Sequence, residues 1–289
     1  MALAVLELFC GLGGWRYAAA GRGRVVAAWD VDEAARATYE ANHGERPRAR
    51  ELATVPVEEI AGLGADTWVL SPPCQPFCRM GNRHGLADRR SRAFVRLMAV
   101  FDAAPPDHLV LENVEGFLGS DAHELLRERL RRHGLGWREE RLCPTRFGIP
   151  NRRPRAWIVA SRRPLAARTP PAIEPEPLAR FLDETEDRSL ELDPALLGRH
   201  LPGLDLVAAD DRRSACFIAG YGQRLVGSGS FLRTARGVRR FSPAEVARLL
   251  GLPGSFRFPP GLSLERRYRL LGNSLSIPVA RWVLDELGG

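Results

Sequence analysis

The chain has 289 residues, enough for a full α/β core and a smaller second unit, and its 42 basic and 35 acidic residues leave a net charge of +7 that favours a polyanionic partner such as nucleic acid. Five scattered cysteines and six histidines offer neither a disulfide framework nor a metal-ligand cluster, and no run approaches the length of a membrane span. These features exclude a cystine-stapled scaffold, a zinc module and a membrane protein, and they favour a reducing, cytoplasmic setting.

Leu3 to Phe9 reads as a buried strand, too short and without the basic start of a signal peptide. Cys10-Gly11-Leu12-Gly13-Gly14 follows as a glycine turn opening a helical stretch from Trp15 to Ala20. Strand, turn and helix in this order make a nucleotide cradle, because glycines let backbone amides approach a ligand. The next strand, Arg24 to Trp29, ends in Asp30, placed to hydrogen-bond ribose hydroxyls. A dinucleotide dehydrogenase would need a third glycine where Arg16 stands, so the loop suits an adenosyl group without a pyrophosphate better than NAD.

Thr67 to Leu70 reads as a third, fully buried strand, and Ser71-Pro-Pro-Cys74-Gln75-Pro-Phe77 follows it. Two prolines stiffen the backbone before Cys74, so its sulfur projects from the carboxyl edge of the sheet, where open α/β folds bind ligands. The polar stretch from Cys78 to Ser91 reads as a loop carrying Arg79, Arg83 and Arg89, whose charge would favour the reactive thiolate. His108 to Leu111 delivers Glu112-Asn113-Val114 to the same edge. Glu112 suits a general acid in a partly desolvated cleft, or alternatively the cap of a helix spanning Gly116 to Arg129. Arg153 and Arg155 precede the apolar strand Ala156 to Ala160, and their alternation predicts that both face one way, as a clamp on a carbonyl or phosphate requires.

The proline-rich stretch from Pro164 to Pro177 marks a boundary. The expected organisation is a doubly wound parallel sheet over residues 1–160, a small unit over 161–240 and a segment 241–289 that completes the first domain. Ser242-Pro243-Ala-Glu245 is a helix start with a capping box, leading to a stop at Gly251, and a last helix is predicted from Ser276 to Leu287, packing on the first domain.

Taken in order, Phe9 to Gly14, Pro73-Cys74, Glu112-Asn113-Val114, Arg153 with Arg155, and Tyr268 to Ser274 resemble the motifs of the cytosine-5 methyltransferase superfamily. Within it, Arg213-Ser-Ala-Cys216-Phe217, Gly220-Tyr221-Gly222 and Phe241 to Asn273 look most like the branch that methylates a cytosine in the anticodon loop of aspartate tRNA, although Ile218 stands where that branch has threonine. The resemblance implies a Rossmann-like α/β fold with a small target-recognition domain, S-adenosyl-L-methionine as methyl donor, S-adenosyl-L-homocysteine as product, and tRNA, or alternatively DNA, as substrate of a monomeric enzyme without a metal. It further implies catalysis by Cys74, Glu112, Arg153 and Arg155. The implied cofactor site comprises Phe9, Gly11, Leu12, Gly13, Gly14, Asp30, Val55, Ser71, Pro73, Asn273 and Ser274, and substrate contacts fall to Gln75, Arg79, Arg83, Arg89, Arg213, Cys216, Phe217 and Tyr221.

Overall fold

The computed structural model describes residues 2–73, 86, 88–185 and 187–287, and these divide into two compact units. The first comprises Met1–Leu142, Pro154–Thr169 and Ala280–Gly289; the second comprises Cys143–Arg153 and Pro170–Val279. These limits differ from the expected ones at 160 and 240. Residues 241–279 lie in the second unit, and only the stretch from Ala280 returns to the first.

In chain order the first unit runs β1 (Leu3–Leu8), α1 (Gly14–Ala19), β2 (Gly23–Trp29), α2 (Glu33–His43), α3 (Val57–Ala61), β3 (Thr67–Leu70), α4 (Arg92–Ala103), β4 (His108–Asn113), α5 (Asp121–Arg132), β5 (Gly136–Leu142) and β6 (Arg155–Ser161). The strands form one sheet in the order β2-β1-β3-β4-β6-β5. The first four are parallel, whereas β6 runs antiparallel to both β4 and β5, so the sheet is parallel-rich rather than wholly parallel. Chain order reverses about β1, which leaves a crevice at the carboxyl ends of β1 and β3.

All residues of β3 and β4 are buried, as their continuous apolar runs require of strands covered on both faces. In α4, Phe94, Leu97, Met98 and Phe101 form one buried stripe at helical spacing, packed with Trp68, Leu109 and Ile158 in the core. The helix predicted from Gly116 begins later, at Asp121. A short 3₁₀ turn covers Glu115–Phe117, and the Ser120 side chain, accepting the His123 N–H at 3.2 Å, sets the true start. At the chain's end Arg22 pairs with Asp285, and the Glu286 carbonyl accepts the Ala166 N–H at 3.0 Å, which ties this stretch to the first unit.

The second unit contains α6 (Pro194–His200), a small sheet of β7 (Asp205–Val207), β8 (Ser230–Thr234) and β9 (Gly237–Arg240), then α7 (Pro243–Leu249) and α8 (Leu264–Gly272). The predicted capping box is present: Ser242 accepts the Glu245 N–H, and Glu245 accepts the Ser242 N–H. The last helix, α9, spans Ile277–Leu284 and is followed by a 3₁₀ turn at Asp285–Leu287. Among the described residues no helix is long and apolar enough to cross a membrane.

Candidate active site

The glycine loop leaves β1 through Phe9, whose φ of 56° is the one positive value among non-glycine residues in the described chain. Gly11 and Gly13 follow with φ of 55° and 91°. At Gly13 an added Cβ would stand 2.4 Å from His43 Nε2 and 3.0 Å from the Tyr39 ring, so a side chain there would have to displace one of them in addition to adopting a left-handed backbone. At Gly11 nothing lies within 4 Å of such a Cβ, and the backbone faces open space.

Beneath the loop Glu7 is fully buried in β1, and it accepts the Trp15 N–H at 3.2 Å and the Tyr39 hydroxyl at 3.0 Å. Burial pushes its carboxyl up to about 8, with these hydrogen bonds opposing the shift. Asp30 braces the loop from β2. Its Oδ2 accepts the Gly11 N–H at 2.8 Å and its Oδ1 the Asp32 N–H at 2.8 Å, while burial raises its carboxyl above the usual range. A carboxylate can accept more bonds than these, so capacity for a ligand hydroxyl remains.

Beside this loop lies a cavity of about 530 Å³, lined by Phe9, Asp30, Val31, Leu52, Ala53 and Pro73, with Arg50, Glu51, Arg89, Arg92 and Ala93 completing the wall. Arg89, expected on the substrate side, thus shares a cavity with Asp30. Val55, expected at the cofactor site, is fully buried, and its carbonyl accepts Arg96 Nε at 2.8 Å; the nearby Leu52 and Ala53 line this cavity.

Ser71 to Pro73 leave β3 held by the side chains of Trp15 and Asn113. Trp15 Nε1 donates to Ser71 Oγ at 3.1 Å, with its ring set edge-on to Trp157 at 5.8 Å between centroids. Asn113 Nδ2 donates to the Pro72 carbonyl at 3.0 Å, and its Oδ1 accepts the Val114 N–H at 2.9 Å. The Glu112-Asn113 pair was legible as a motif, but only the β3–β4 register, Leu70 opposite Leu111, sets Asn113 against Pro72. Cys74, Gln75, Arg79 and Arg83 lie outside the described residues.

Glu112 is 6% exposed at the end of β4, and its Oε1 pairs with Arg155 Nε at 3.2 Å. It caps no helix. The expectation that Arg153 and Arg155 act as one clamp is corrected, since Arg155 reaches Glu112 while Arg153 is 3% exposed in the second unit. There Arg153 Nη1 donates to the Phe217 carbonyl at 3.1 Å and Nη2 to the Gly272 carbonyl at 2.9 Å and to that of Ser274, with Cys216 Sγ 3.4 Å from Nη1. One guanidinium therefore joins Cys216-Phe217 to the turn carrying Asn273 and Ser274. Close approach is needed here, because a Cβ on Gly272 would meet Ala219 N at 2.2 Å.

Phe217 and Tyr221, expected to touch substrate, are core residues. They pack edge-on to each other at 4.9 Å, and Tyr221 also contacts Phe231 and Tyr268. The Tyr221 hydroxyl donates to the Ser230 carbonyl at 2.7 Å and accepts the Phe241 N–H at 2.9 Å. Arg213, by contrast, is exposed and pairs with Asp205 at 2.8 Å.

The sequence matches the family model described as C-5 cytosine-specific DNA methylase over residues 3–193 and 210–289, which leaves 194–209 unmatched. It is 31% identical to the tRNA (cytosine(38)-C(5))-methyltransferase of Schizosaccharomyces pombe, covering 99% of this chain and 96% of that protein. It is 30% identical to the human protein of the same name, over 99% of each. The fold superposes on the crystal structure of S. pombe Dnmt2 methyltransferase with a TM-score of 0.88 at 29% identity, covering 99% of this chain and 98% of that one.

Proposed function

We infer that this chain, which belongs to the C-5 cytosine-specific DNA methylase family, methylates carbon 5 of a cytosine in tRNA, in the anticodon loop of aspartate tRNA. The observation that carries the chemistry is the convergence at one sheet edge of the Glu112–Arg155 pair and the Ser71-Pro72-Pro73 segment pinned by Trp15 and Asn113. The tRNA substrate is supported by relatives named for it, which align with nearly the whole chain. A DNA substrate is the alternative.

The residues present fit S-adenosyl-L-methionine. Gly11 offers open backbone, Asp30 offers carboxylate lone pairs for ribose hydroxyls, and the cavity beside them has an apolar wall of Phe9, Leu52 and Pro73. When bound, this molecule supplies an electrophilic methyl group. On the protein side, the Cys74 thiolate adds to carbon 6 of the cytosine while Glu112 holds a proton at ring nitrogen 3, so the electron pair of the 5,6 double bond is made available at carbon 5. Arg155 orients Glu112 and stands beside the base. After methylation, loss of the carbon 5 proton and expulsion of the Cys74 thiolate restore the aromatic ring. Arg153 acts as a positioning residue for the Cys216-Phe217 and Asn273-Ser274 segments.

Incubation with radiolabelled S-adenosyl-L-methionine and either total tRNA or DNA tests the reading: label is expected in tRNA, and labelled DNA with blank tRNA would overturn the substrate assignment. Cys74→Ala should lower transfer by roughly 10³-fold or more while cofactor binding persists. Retained activity would remove the covalent mechanism.

A further inference from the structure

The residues the family match leaves out are not a disordered insertion. They form α6, a 3₁₀ turn at Leu201–Gly203 and strand β7, and β7 is hydrogen-bonded in parallel to β8. This stretch contributes Leu201, Leu204 and Leu206 to the lining of a second groove, of about 570 Å³, which Arg213, Arg233 and Thr234 also line. The volume lies within the range of small-ligand sites. Its lining includes three leucines, of which Leu201 is 47% exposed. The two arginines of the lining differ in kind. Asp205 Oδ1 holds Arg213 at 2.8 Å, while its Oδ2 accepts the Ser230 hydroxyl, whose oxygen accepts the Ala215 N–H at 2.7 Å. Arg213 is thus fixed in place with its charge compensated. Arg233 is exposed and makes no ion pair among the described residues.

We propose that this groove binds one unpaired nucleotide of the RNA substrate other than the target cytosine, its base against Leu201 and Leu204 and its phosphate at Arg233. The inference rests on the tRNA reading above. The charge of Arg233 complements a phosphate, and an apolar shelf beside a fixed guanidinium is a surface on which a splayed base stacks without demanding a particular sequence. Thr234 supplies a hydroxyl that can donate to or accept from a base edge. The stretch that builds the shelf lies outside the residues the family model matches, so the groove would contribute to substrate selectivity rather than to the shared chemistry.

The test is steady-state methylation of tRNA by the wild type, Arg233→Ala and Leu201→Ser, with melting temperature and S-adenosyl-L-methionine affinity as controls. Arg233→Ala should raise KM for tRNA about tenfold with kcat and cofactor affinity unchanged, and should reduce the salt dependence of binding by about one in slope. Leu201→Ser should raise KM with no change of slope, because it removes apolar surface and no charge. Stem-loop oligonucleotides with single abasic substitutions in the loop complete the experiment. At one position the lesion should cost the wild type about tenfold and Arg233→Ala far less, since the two changes remove the same contact. Unchanged KM and slope in Arg233→Ala, or equal abasic costs in both proteins at every position, would overturn the groove alone. A wild type inactive on tRNA would overturn the substrate reading and the groove with it.

Discussion

The carboxyl edge of the first unit's sheet and the second unit reach order by different means. At the edge, parallel ladders align the ends of β1, β3 and β4, so that short side-chain bonds such as Trp15 to Ser71 and Asn113 to Pro72 only trim an arrangement the backbone already holds. The second unit has a three-stranded sheet of short strands, and long-range bonds from buried polar side chains do much of the joining. Arg153 gathers carbonyls from two segments, Asn151 Nδ2 donates to Ser214 Oγ and to the Ala215 carbonyl, and Tyr221 bonds both Ser230 and Phe241. A unit joined this way depends on single side chains. Residues 194–209, which the family model leaves unmatched, also lie in this unit.

Three measurements would break or sharpen that contrast. The largest effect is expected at the bidentate pair of Arg239 and Glu245, both almost wholly buried, with oxygen–nitrogen distances of 2.8 and 2.7 Å. Removing one partner leaves a buried charge uncompensated, so Arg239→Ala should cost about 3–5 kcal/mol by denaturant melts. A loss below about 1 kcal/mol would show that side-chain links do not hold the second unit together.

In the first unit the corresponding buried group is Glu7. Its carboxyl is held up to about 8 by burial, whereas an unfolded glutamate ionises near 4.3. Between those values the folded chain keeps a proton that the unfolded chain has released, so stability should fall as pH rises through this window, by up to ~1.4 kcal/mol per pH unit. Glu7→Gln should flatten that slope between pH 5 and 8 while preserving the bond to the Trp15 N–H. Wild-type and variant melts with parallel pH profiles would refute it.

The smallest stability effect concerns Arg153 and Arg155. Arg153→Ala withdraws donors from three carbonyls and should cost about 2 kcal/mol, whereas Arg155→Ala should change stability less and the methylation rate more, by about 10²-fold. Equal effects of the two changes on melting and on rate would erase the distinction between a positioning and an active-site arginine.

Much of the first unit was legible because its strands carry continuous apolar runs with a turn at each carboxyl end, and a period of that kind has few alternative readings. β5 was not read as a strand. Its sequence, Gly136 to Leu142, carries four charged residues in a row from Arg138 to Arg141, as a strand at the sheet edge tolerates, and so shows neither an apolar run nor a clean alternation. The alternation of Arg153 and Arg155 was real, but β6 begins at Arg155, so extended geometry could not be assumed before it. Phe217 and Tyr221, beside a glycine-rich stretch, were expected to touch substrate, because an aromatic residue near a flexible segment gives no local sign of burial. Gly229 decides for core, since a Cβ there would lie 2.7 Å from the Phe217 ring and 2.9 Å from that of Tyr221.

By itself the chain's order of residues determined the chemistry at hand: a thiol after two prolines, a carboxyl at a strand end, a glycine loop after the first strand and an excess of arginine. These are local properties, written in neighbouring residues. Only the tertiary structure decided that Arg155 rather than Arg153 meets Glu112, that Asn113 and Trp15 hold the backbone before Cys74, and that an unmatched stretch lines one groove together with Arg233. Each of these is a pairing across strand register or a long loop, and no periodicity along one segment encodes its partner on another.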